Sequence, residues 1–133
     1  SLWNGAVALS RRLAEQRASL ATGALADGRS VVVLGCGQAL EAMVVRQLFP
    51  GLKTIVATDG SEDVLLQARE NVRRNLGEEV QGLVLAELCW EDEEQIQAVL
   101  DLNGGAPYDV VLCADVTYLE DCRPLVSCIL RLS

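Results

Sequence analysis

Four short runs of apolar and β-branched residues, "SVVVLG", "KTIVATD", "VQGLVLAEL" and "YDVVLCAD", are separated by stretches of helical periodicity. No other feature constrains the chain as much. Each crossover between such strands returns the chain to the same edge, so the strands pair in parallel and the helices cover the sheet. The expected class is α/β, a Rossmann-like parallel sheet with helices on both faces.

The intervening segments supply the helices. From Trp3 to about Leu20, Ala6, Leu9, Leu13 and Leu20 recur at helical spacing, with Asn4 as the expected cap. A second apolar helix is expected from about Ala39 to Phe49, stopped by Pro50-Gly51. Ser61 is placed to cap a third, whose stripe is Leu65, Ala68, Val72 and Leu76 and whose end is Gly77. "EDEEQIQAVLDL" reads as a short acidic helix with a solvated start, and a last helix is expected from near Glu120.

The chain has 133 residues, the size of one domain, so residues 1–133 are taken as a single domain, and 50% hydrophobic content is enough for a core. Its formal net charge is −8, and no basic run exceeds Arg11-Arg12 or Arg73-Arg74. Phosphate neutralisation needs a basic surface, so no nucleic-acid partner is expected, whereas a basic protein segment would be steered favourably. No apolar stretch approaches the roughly 18 to 20 residues of a bilayer span, and Ser1 is not followed by a signal-peptide pattern. No membrane association is expected.

Five cysteines, Cys36, Cys89, Cys113, Cys122 and Cys128, form no C-x-x-C pair, and the chain contains no histidine. Zinc and histidine-based catalysis are therefore disfavoured, and no metal site is expected. Buried reduced thiols fit a cytoplasmic or nuclear compartment.

In open parallel sheets, ligands bind beyond the carboxyl ends of the strands. Four such ends carry candidate residues: Gly35 and Gly37, Asp59, Trp90, and Asp115 with Tyr118. The two glycines suit a tight turn approached by a ligand, although any strand-to-helix turn can carry them. Asp59 follows Gly35 by 24 residues. That is near the roughly 20 at which a carboxylate meets a ribose diol, and Asp-Gly is also a common turn. Trp90 can stack on a planar base or close a core edge. Asp115 and Tyr118 can hold an amine, or can cap a helix and lie on its surface.

Taken in order, "VVVLGCGQAL", "VATDGSEDVLLQARENVRRN", "LAELCW" and "YDVVLCADVTYLEDCRPLV" resemble the class I, seven-β-strand methyltransferases. The closer resemblance is to the protein-lysine methyltransferases that modify calmodulin, chaperones and translation factors. "LWNGAVALSRRL" is similar to the helix that precedes the glycine motif in that family, and "DVTY" with L-x-W is more specific than the glycine turn. The resemblance implies S-adenosylmethionine as cofactor, with Gly35 and Gly37 beside its methionine portion, Asp59 on the ribose hydroxyls and Trp90 near the adenine. It implies that Asp115 and Tyr118 line the lysine entrance, with Asp115 and Trp3 also near the cofactor. The implied partner is a protein substrate presenting a lysine.

The chain departs from the family pattern at three points. Val33 stands where an acidic residue usually precedes the first glycine by two, with Glu41 as a candidate replacement. Ala39 replaces the third glycine, a change expected to be sterically minor. The family sheet continues beyond the fourth strand, so the domain is expected to be partial, with its fourth strand left as an exposed edge. Two other functions remain open: a non-catalytic cofactor-binding or scaffold module, and a nicotinamide dehydrogenase. Leu40 breaks the G-x-G-x-x-G spacing that the latter needs.

Overall fold

The computed structural model describes residues 4–114 and 121–133. Four parallel strands, β1 (Ser30–Leu34), β2 (Thr54–Asp59), β3 (Leu83–Glu87) and β4 (Val110–Cys113), form one sheet in the order β3-β2-β1-β4. The helices are α1 (Asn4–Glu15), α2 (Arg17–Ala21), α3 (Leu40–Leu48), α4 (Glu62–Leu76), α5 (Glu93–Asp101) and α6 (Arg123–Leu132).

Alternation along β1 decides which helices cover which face. Val31 and Val33 point into a core shared with Leu13 of α1, Ala42 and Val45 of α3, and Leu65, Ala68 and Val72 of α4. Val32 and Leu34 point the other way, toward Ile96 and Val99 of α5 and Leu125, Cys128 and Leu132 of α6. Both faces are covered, so β1 reads as an unbroken apolar run. The strand order switches direction at β1, with β2 on one side and β4 on the other, which places a ligand crevice beyond the ends of these strands. β4 is an edge strand of the described sheet, and its four residues are only partly buried.

Local signals explain the helix limits. Ser61 Oγ accepts the Val64 N–H at 3.3 Å, and Asp92 Oδ1 accepts the Gln95 N–H at 3.1 Å, so each caps its helix as N-terminal side chains do. Asp92 and the two glutamates after it thus make the solvated start of α5. Asn4 is not a cap: it is already helical, the first described residue of α1. The single opening helix is corrected to α1 and α2, which bend at Gln16 (φ −105°, ψ 18°). The bend is not a break, because the Gln16 N–H still reaches Arg12 O and the Leu20 N–H reaches Gln16 O.

At the amino edge of the sheet, Asp109 Oδ2 accepts the Ser30 N–H at 2.9 Å, while Asn103 Nδ2 donates to Ser30 Oγ and to the Ala106 and Pro107 carbonyls. This network ties β1 to the segment leading into β4, away from the ligand edge, and the buried Tyr108 hydroxyl, which donates to Val99 O at 2.6 Å, ties that segment to α5. No described helix is long and apolar enough to cross a membrane.

Candidate functional site

Leu34 pairs with Thr58 of β2 and Cys113 of β4, so the three strands end at one level. From there the chain makes the turn Gly35 to Ala39, with φ of 65° at Gly35, 53° at Gly37 and 68° at Ala39. Glycine adopts this left-handed region freely, whereas an L-residue pays roughly 1–2 kcal/mol for it. The expectation that Ala39 is sterically minor is thereby corrected. Its methyl is fully buried in the core, but its backbone holds a strained conformation that the third glycine would hold without cost.

The β2–α4 unit holds this turn in place. The Cys36 N–H donates to Thr58 O at 2.8 Å, and the Thr58 hydroxyl, itself fully buried, donates to Val33 O at 2.7 Å. Asp59 uses both carboxylate oxygens: Oδ2 accepts the Gly37 N–H at 3.2 Å and Oδ1 the Ser61 N–H at 3.1 Å. From α4, Asn71 Nδ2 donates to Gln38 O at 3.2 Å. Gly35, Gly37 and Asp59, singled out far apart in sequence, thus meet at one edge.

A cofactor bearing a diol and a charged amino-acid end fits what stands there. A Cβ built on Gly37 would meet nothing within 4 Å, so the turn presents bare backbone to open space. The Asp59 carboxylate is half-buried, and each oxygen, having accepted one N–H, has a lone pair left for a hydroxyl. Asp59 builds the turn, and the same carboxylate keeps acceptor capacity toward the open edge.

Trp90 is half-buried and packs against the core beneath α5 and α6, so part of its ring closes that core. Its neighbour Cys89 is fixed by Gln95 Oε1, which accepts the Cys89 N–H at 2.7 Å, and the thiol lies 3.8 Å from Gly60 O. The end of β3 therefore stands beside the turn that follows Asp59. Trp3, Asp115 and Tyr118 lie outside the described residues. Val33 is fully buried in the α3–α4 core, and Glu41, in the first turn of α3, is also buried. Glu41 is close enough to Cys36 for its charge to act on that thiol.

Burial, with the charges of Asp59 and Glu41, pushes the Cys36 thiol up to about 12 from an ordinary 9.0. Burial foremost, followed by the nearby Cys113, raises Cys128 to about 11. Both thiols stay protonated near neutrality and are poor nucleophiles. In the native protein at pH 8, iodoacetamide should modify the exposed Cys89 first and spare Cys36 and Cys128 until denaturant is added, as counted by peptide mass spectrometry. A raised acid pKa means that the folded state holds the proton more tightly. This contribution to stability is complete below pH 9 and is lost as pH rises toward 12, so alkaline unfolding should be eased by Cys36 ionisation.

Thr58 and Asn71 escaped the sequence reading. A lone hydroxyl in the apolar strand "TIVATD" was the available signal for the first, and a polar amide on the inner flank of α4 for the second.

Comparison with known proteins supplies the family. A family model described as lysine methyltransferase matches residues 1–133. No curated protein sequence matches the chain. Among solved structures, the chain is similar to magnesium protoporphyrin IX methyltransferase from Synechocystis PCC 6803, solved with bound SAH. The TM-score is 0.65 at 21% identity, covering 95% of this chain and 51% of that one. It is also similar to an O-methyltransferase family protein from Burkholderia thailandensis (TM-score 0.63, 21% identity, 96% and 35% covered). A third is the YcgJ protein from Bacillus subtilis (TM-score 0.62, 14% identity, 90% and 46% covered). The chain spans about half the length, or less, of these structures. The parallel sheet, its switch at β1 and the glycine turn braced by Asp59 agree with the family match over the whole chain, and the chain belongs to the family described as lysine methyltransferase.

Proposed function

We propose that the protein transfers a methyl group from S-adenosylmethionine to a lysine amine of a protein substrate. The observation that carries this reading is the junction of Gly37 and Asp59, where a bare turn and a carboxylate with open lone pairs face the same edge. The family match supports lysine as the acceptor.

In this reading the backbone at Gly35 and Gly37 lies along the methionine end of the cofactor, Asp59 takes the ribose hydroxyls, and Trp90 lies near the adenine. Glu41, buried at the start of α3, replaces the acid missing at Val33. When bound, the cofactor would supply a methyl group already activated by its sulfonium, transferable in line to a neutral lysine amine with S-adenosylhomocysteine as the leaving thioether. The protein then needs alignment and exclusion of water more than acid–base machinery, so the absence of histidine is no obstacle. In this reading Asp115 and Tyr118 line the lysine entrance, and Trp3 belongs near the cofactor mouth. A net charge of −8 favours approach of a lysine-bearing segment, and the buried thiols of Cys36 and Cys128 support a reducing compartment, cytoplasmic or nuclear.

Isothermal titration of the full-length protein with S-adenosylhomocysteine is the direct test. Micromolar binding is expected, and no heat at millimolar ligand would leave the non-catalytic scaffold in its place. Mass spectrometry of a cell lysate incubated with labelled methyl donor and enzyme should then find the label on lysine. Asp115→Ala and Tyr118→Phe should lower turnover at least tenfold, Tyr118→Phe with little change in cofactor affinity; unchanged turnover removes them from the lysine entrance.

A further inference from the structure

We infer that Asn71 is a positioning residue that holds Ala39 in its left-handed conformation, doing from α4 what a third glycine would do unaided. The inference rests on the cofactor reading above for its effect on ligand affinity, but not for its effect on the turn.

Asparagine is a poor helix former because its amide competes for backbone partners, so one inside a fifteen-residue helix calls for a reason. Two asparagines four residues apart in α4 behave differently. Asn75 Nδ2 donates to Asn71 O at 2.8 Å, a bond within its own helix. Asn71 Nδ2 instead leaves the helix and donates to Gln38 O, 33 residues earlier.

That carbonyl belongs to the peptide unit between Gln38 and Ala39. The other side of the same unit, the Ala39 N–H, donates to Cys36 O at 2.8 Å, so the plane preceding Ala39 is held at both ends. The plane following it is held as well, since Ala39 O accepts the Met43 N–H at 3.0 Å. With both planes fixed, φ and ψ of Ala39 have nowhere to relax. Of these three bonds, only the one from Asn71 comes from outside the turn and α3. A glycine at position 39 would not need it, because φ of 68° is open to glycine. The same turn carries the Gly37 N–H to Asp59, so its shape sets the edge that faces the ligand.

A double-mutant cycle in the full-length protein tests this coupling. Asn71→Ala should speed amide hydrogen exchange at positions 37 to 39 of the cofactor-free protein by about tenfold and weaken S-adenosylhomocysteine binding by a similar factor. With Ala39→Gly already present, both effects should shrink to about threefold or less. A purely structural Asn71 would lower the melting temperature equally in the two backgrounds and leave the exchange at the turn uncoupled. Equal effects in both backgrounds, or none, overturn the inference. Should Asn71→Ala not fold, Asn71→Ser removes the same donor with a smaller change. If the wild type fails to bind S-adenosylhomocysteine, the cofactor reading is lost, and the exchange half of the cycle still decides the role of Asn71.

Discussion

Asp59→Ala should weaken S-adenosylhomocysteine binding by about 100-fold or more while the protein remains folded. Hydrogen bonds to a charged acceptor are worth about 1.5–3 kcal/mol each, and a ribose diol places two on this carboxylate. Losing both removes at least about 3 kcal/mol, and about 1.4 kcal/mol is a factor of ten. The substitution also strips acceptors from the Gly37 and Ser61 N–H groups, which lie near enough to solvent for water to replace part of the bonding. A stability loss of about 1–3 kcal/mol should accompany it. Asp59→Asn, which keeps one acceptor oxygen and the same shape, should fall between wild type and alanine on both scales. Titration calorimetry and urea denaturation on the same samples separate the two roles. A stability loss with affinity within threefold of wild type would reduce Asp59 to a builder of the turn.

Much of this arrangement was legible in the sequence because its signals are local. Strand-to-helix alternation, the Ser61 cap, the solvated acidic start of α5 and the Gly77 stop each depend on a few neighbouring residues, and the structure shows all of them. The spacing of Gly35 and Asp59 suits either a ribose-binding carboxylate or a turn, and the bond from the Gly37 N–H to Asp59 rests on the register that sets Leu34 beside Thr58. What escaped was relational. The Thr58 hydroxyl finds Val33 O only once β1 and β2 are paired, and Asn71 finds Gln38 O only once α4 lies against the turn. The strain at Ala39 was invisible for the same reason. Side-chain volume suggests that alanine is nearly glycine, but the cost lies in a φ angle that no single residue reveals.

Ile55→Ala should have the opposite signature to Asp59→Ala, with a large loss of stability and an intact site. Ile55 is fully buried at the amino end of β2, between Val31 of β1 and Leu83 of β3, within the core shared by α3 and α4. Truncation there removes three carbons from a close-packed region that cannot collapse across two paired strands, so a loss of about 2–5 kcal/mol is expected. Ile55→Val should cost only about 0.5–1.5 kcal/mol. Whole domains are stable by roughly 5–15 kcal/mol, so the alanine variant should denature at markedly lower urea and melt about 10 °C or more below wild type. Its folded fraction keeps the strand ends in register, and its affinity for S-adenosylhomocysteine should match wild type. Saturating ligand at about 100 times Kd should therefore restore about 2.7 kcal/mol to the Ile55 variant, and at that same concentration far less to Asp59→Ala. Equal rescue of both variants would place Asp59 in the scaffold; a changed affinity in Ile55→Ala would show that the core and the ligand edge are mechanically coupled through β2.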